Sequence, residues 1–71
     1  MIESSERALF ILYKNYKGKI GVRHVEPIDW FWGSSQYHLK PQWLLKAFDF
    51  DKQEERTFAV QDIRGIWIQN D

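Results

Sequence analysis

Arginine, lysine and tyrosine are the residues whose placement in this chain suggests chemistry. Between Lys14 and His24 stand Lys14, Lys17, Lys19 and Arg23 with no acid among them, and Tyr13 and Tyr16 are interleaved. Cations beside rings supply both halves of a phosphate-plus-base site, since the cations neutralise the backbone and the rings stack on bases. The plainer use of lysines flanking a turn is to keep a sheet edge soluble. Arg23 and Arg56 are the strongest binding candidates, because a guanidinium grips phosphate or carboxylate in bidentate fashion. Each could equally pair with Glu26, Glu54 or Glu55. Tyr13 can hydrogen-bond a ligand or bury its ring in a core and expose its hydroxyl. Trp43 shares a strand face with Leu45 and Ala47, which reads as core, with ligand contact as its other use.

Catalysis finds little footing. There is no cysteine, and the serines Ser4, Ser5, Ser34 and Ser35 lie outside any G-x-S-x-G elbow. His24 and His38 fall on different expected strands, without the spacing of a zinc site. The carboxylates Asp49, Asp51, Glu54 and Glu55 lack calcium-loop spacing and read as a solvated hairpin tip. Phosphate-binding glycine loops are absent from the sequence. The expectation is a binding protein rather than an enzyme, with no cofactor and no metal.

The elements that must position these residues are short. Seventy-one residues make one small domain with a thin core, and the twelve rings (Trp 4, Tyr 3, Phe 5) supply much of its burial. A net charge of +0 confines any nucleic-acid contact to a local patch, with a basic hairpin at Lys14–Arg23 and an acidic one at Asp49–Glu55. The absence of cysteine and of a basic-then-apolar leader fits a cytoplasmic protein, and no apolar run is long enough to span a bilayer. Runs rich in β-branched, leucine and aromatic residues recur at about ten-residue spacing between turn signals. They predict strands at about Arg7–Tyr13, Lys19–Trp32, Tyr37–Phe48, Arg56–Gln61 and Gly65–Gln69, with residues 1–7 flexible or briefly helical. Gly18 can take a positive φ in the first turn, and Pro27 should mark a bulge, bend or edge in the long second strand. Trp30, Phe31 and Trp32 alternate, so they cannot all face inward. The expected fold is all-β: a small five-stranded SH3-like or Sm-like barrel over residues 8–70.

Four ordered motifs resemble the WYL domain family, whose pattern runs Tyr, R-x-V-x-P, Trp-Tyr-Leu, then R-x-F-x-L-x-x-I. Here Tyr13 opens the series, followed by Arg23, Val25 and Pro27. Pro41-Gln42-Trp43-Leu44-Leu45 carries the outer letters of the triplet in Trp43 and Leu45, and Arg56, Phe58, Val60 and Ile63 close it. The resemblance spans about Leu9 to Ile66. It implies an Sm-like or SH3-like barrel that senses a ligand, often nucleic acid or nucleotide, through basic and aromatic residues in bacterial or phage transcriptional regulation. The sequence departs from the pattern at Leu44, which replaces the middle tyrosine, and at Asp62, which replaces an arginine. No helix-turn-helix segment lies within these residues, which implies a domain that works alone, through a partner, or within a longer protein. Tyr13, Lys14, Arg23, Trp43 and Arg56 are thus the expected ligand contacts, with single-stranded DNA or RNA, or a nucleotide, as partner. The competing expectation is a protein–protein interaction or homodimerisation module that uses exposed tryptophans and touches no nucleic acid.

Overall fold

The computed structural model describes residues 7–36 and 38–68. Five strands appear in chain order: β1 (Leu9–Lys14), β2 (Ile20–Gly33), β3 (Gln42–Asp49), β4 (Glu54–Ala59) and β5 (Ile63–Trp67). A 3-10 turn over Val60–Asp62 joins the last two. Every ladder is antiparallel, and the strands lie in one sheet in the order β4-β3-β2-β1-β5. The all-β class and the five strands agree with the sequence, and β4 and β5 are the two edges of a sheet that is not closed into a barrel. Among the described residues no helix is long and apolar enough to cross a membrane.

Several strand boundaries differ from expectation, and β1 starts at Leu9 rather than Arg7. β3 starts at Gln42 because Pro41 has no N–H to give a ladder. Ahead of it, Ser35 and His38 exchange backbone hydrogen bonds of 2.9 and 3.1 Å and fold that segment into a loop. β4 runs from Glu54 to Ala59, so Val60 and Gln61 belong to the turn and not to the strand. β5 begins at Ile63, just past Asp62. Residues 1–6 and Gln69, to which a flexible start and a strand end were assigned, lie outside the described residues.

The long second strand serves two partners. Ile20–Val25 pairs with β1, and Val25–Gly33 pairs with β3. The register shifts between Pro27 and Asp29, leaving Ile28 as the extra residue of a bulge, as the proline predicted. The first turn also follows expectation. Gly18 sits at φ 81, and the Asn15 side-chain oxygen accepts from the Lys17 and Lys19 amides at 2.9 and 3.0 Å. Register then fixes the core: Leu9 opposite Val25, Val25 opposite Asp49, Ala47 opposite Arg56 and Leu45 opposite Phe58 all share one face. On it Ile11, Tyr13, Val25, Leu45, Ala47 and Phe58 form the buried cluster, with Leu9, Val60 and Ile63 packed alongside.

Tyr13 ties the two halves of the sheet. Its ring meets Phe58 edge-on at 4.9 Å, and its hydroxyl oxygen accepts from the Ala59 amide at 3.0 Å. The bond joins β1 to the edge strand β4, which are not neighbours in the sheet, so the sheet must curl to make it.

Candidate functional site

The curl leaves a cleft of about 1020 Å³ on the cored face, lined among others by Tyr13, Tyr16, Arg23, His38, Glu54 and Arg56. That volume lies at the upper end of the range for small-molecule sites. Register puts both arginines on the cored face but on opposite sides of one row, and the curl of the sheet lets both line the cleft. Arg23 stands two residues before Val25 on β2, and Arg56 stands two after Glu54 on β4, while Val25, Asp49 and Glu54 form one row across β2, β3 and β4. Three of the five expected contacts, Tyr13, Arg23 and Arg56, line this cleft.

The other two lie elsewhere. Lys14 pairs with Ile20 on the opposite face of β1. Trp43 was expected in the core but is 56% exposed, paired across the hairpin with Trp32, which is 60% exposed. The rings meet edge-to-face at 5.7 Å and line a separate groove of about 390 Å³ with Gln42, Val60 and Gln61. Alternation had placed Trp43 on the core face, and its Cα does lie in that row. But this end of the β2–β3 hairpin extends past β1, which pairs with β2 only as far as Val25, so nothing in the sheet covers the ring. Trp30 and Trp32 are exposed and Phe31 is half-buried, in keeping with the alternation argument.

Each arginine has an acidic neighbour, and neither is held tightly. Arg56 donates to Glu54 at 2.7 Å between exposed side chains, a pair worth at most about 1 kcal/mol and easily exchanged for a ligand anion. Arg23 lies 3.7 Å from Asp49, beyond hydrogen-bond length, so its donors remain available. Asp49 is the surprise of the acidic hairpin. Expected as part of a solvated tip, it is 0% exposed. Its Oδ1 accepts from the Asp51 and Lys52 amides at 2.9 and 3.1 Å, closing the β3–β4 turn, while Oδ2 faces Arg23 without a hydrogen-bond partner. An aspartate opening a turn is a readable signal, because its short side chain caps the amides two and three residues on.

The cleft also holds residues that strand reasoning missed. Tyr16 stands 92% exposed at the tip of the first turn, with the Lys17 ammonium 5.7 Å from its ring centre. Ser35 Oγ lies 3.2 Å from His38 Nδ1, the atoms of a nucleophile–base pair, yet the same Oγ accepts the His38 amide at 3.1 Å. With the reciprocal backbone bonds, this contact is a clasp on the loop. Among the described residues no group of three or more His, Asp or Glu is placed to hold a metal. Burial pushes the Tyr13 hydroxyl above the ordinary tyrosine value. The Ala59 hydrogen bond and Arg23 oppose that rise, and Asp62 adds to it.

No family model, curated protein or solved structure matches the chain. The cleft offers two guanidiniums with loosely held acidic neighbours, an exposed ring in the same lining, and a floor closed by Tyr13 and Phe58.

Proposed function

We propose that this chain is a ligand-sensing module whose cleft binds a nucleotide or a short single-stranded nucleic acid, in the regulatory setting that the WYL resemblance implies. The curled sheet is read accordingly as an SH3-like or Sm-like barrel, and the site as one that binds without catalysing. One observation carries the reading: Arg23 on β2 and Arg56 on β4, two strands apart in sequence order, line the same cleft as the exposed ring of Tyr16. Guanidiniums suit phosphate oxygens and the ring suits a base. Lys14 and Trp43 drop out of this site on position, and Tyr16 and His38 enter it.

The test is a titration of labelled single-stranded DNA, single-stranded RNA and nucleotides, followed by anisotropy at two salt concentrations. Affinity should fall as salt rises, and Arg23→Ala and Arg56→Ala should each weaken binding about tenfold and flatten the salt slope by about one. Binding that ignores both substitutions, or no binding at low salt, would overturn the reading. A second reading rests on a different observation: Trp30, Trp32 and Trp43 are all about half exposed on one stretch of hairpin. Such a patch suits a protein partner. In that case Trp32→Ala abolishes partner capture while the arginine variants leave it unchanged.

A further inference from the structure

Three strand edges are open in the described sheet: β4, β5, and the half of β2 that continues beyond its ladder with β1. Open edges recruit other strands, and proteins blunt them with charge, proline or bulges. The edge of β4 carries Glu54, Glu55 and Arg56. That of β2 carries Pro27, the bulge at Ile28, and Asp29. β5 carries a charge and a bulge at Arg64, the extra residue where its ladder with β1 shifts register, and past it has none of these devices. It reads Gly65-Ile66-Trp67 and runs on into Ile68, with Ile66 52%, Trp67 43% and Ile68 64% exposed.

A row of rings also runs to this edge. On the face away from the core, Phe48, Phe50, His24, Phe10 and Trp67 follow one another at centroid distances of 5.5, 4.7, 4.5 and 5.7 Å. The row ends at Trp67 because β5 is the last strand of the sheet. Two residues earlier on the same face, Gly65 leaves a gap: a Cβ there would meet only the Leu12 Cβ, at 3.8 Å. Glycine inside a strand marks a place where another backbone can approach closely.

We propose that β5 is a self-association edge, paired antiparallel with β5 of a second copy of this chain about a two-fold axis at Ile66. In that register Ile66 meets its own counterpart, and Trp67 of each chain lies over Gly65 of the other, where a bulky ring covers an edge glycine. Arg64 falls opposite Ile68, so no like charges meet, and a net charge of +0 adds no repulsion between copies. The strand is thus complementary to itself, which is the requirement of a two-fold interface. The inference is independent of the ligand reading.

Sedimentation velocity on the full chain, from low micromolar to several hundred micromolar, should show a concentration-dependent dimer. Ile66→Lys and Ile66→Glu should each raise its dissociation constant at least ~100-fold through like charges opposed at the axis. An equimolar mixture of the two variants should dimerise again, because position 66 meets itself only in this register. Ile66 is exposed, so both variants should fold, which far-ultraviolet circular dichroism checks. On the unmodified chain, amide hydrogen exchange should slow at Ile66 and its neighbours as concentration rises. A monomer throughout, a dimer that survives Ile66→Lys, or a dimer lost only on Trp32→Lys would overturn the proposal.

Discussion

Replacing Tyr13 with phenylalanine isolates one oxygen atom. The ring keeps its edge-on contact with Phe58 and its place in the core, so the apolar burial is unchanged. What is lost is the acceptor for the Ala59 amide, on a residue that is 0% exposed. Leaving a buried N–H unpaired costs about 1–3 kcal/mol. A midpoint value of about 2 kcal/mol corresponds to a fall in melting temperature of about 8–16 °C for a domain of this size. The pH dependence has a definite sign. Because the folded-state value of Tyr13 is raised, the unfolded chain releases this proton first, so stability falls as pH climbs beyond about 10. Tyr13→Phe has no such proton, and the gap between the two proteins should narrow over that range. Urea unfolding followed by tryptophan fluorescence at pH 7, 9 and 10.5 would measure both effects. A variant within about 0.5 kcal/mol of the parent at pH 7, or a gap that widens with pH, would refute the claim that this bond closes the sheet.

Two further predictions concern turns. Gly18→Ala meets no atom within 4 Å, so its cost is the positive φ alone, about 1 kcal/mol in urea unfolding, with the cleft's ligand affinity unchanged. Asp49→Ala strips the Asp51 and Lys52 amides of their acceptor and leaves Arg23 without its neighbouring charge, and should cost about 2–3 kcal/mol by the same assay. A change below about 0.5 kcal/mol would show that the turn closes without the carboxylate.

Much of the fold could be read from local signals, and the failures share a cause. Gly18 and Pro27 declared their roles because turn and bulge chemistry depends on the residue itself. Strand parity correctly grouped Leu45, Ala47 and Trp43, but parity says which face a side chain takes and not how far along the strand that face is covered. Trp43 sits past the covered stretch, and Asp49 sits within it, opposite Val25. A tryptophan was therefore taken for core and a buried aspartate for surface. At the site, Arg23, Arg56 and Tyr13 were legible as basic and aromatic strand positions. Tyr16 was visible as part of the basic hairpin, but its place in one cleft with Arg56 depends on the curl. Ser35 and His38 come from a loop whose course no periodicity describes.

The strand order has a consequence for how the chain is made. β1 to β4 pair with sequence neighbours across the short connections at residues 15–19, 34–41 and 50–53, whereas β5 must return to β1, setting Ile66 opposite Ile11. Pairings of such long sequence separation form late. During synthesis the outer side of β1 therefore waits, unpaired, until β5 has left the ribosome. Nascent copies on one message are close together during that wait, and the β5 of a neighbour fits the vacant side of β1 as well as the chain's own does. Strand exchange between copies is thus the misassembly to which this topology is most exposed.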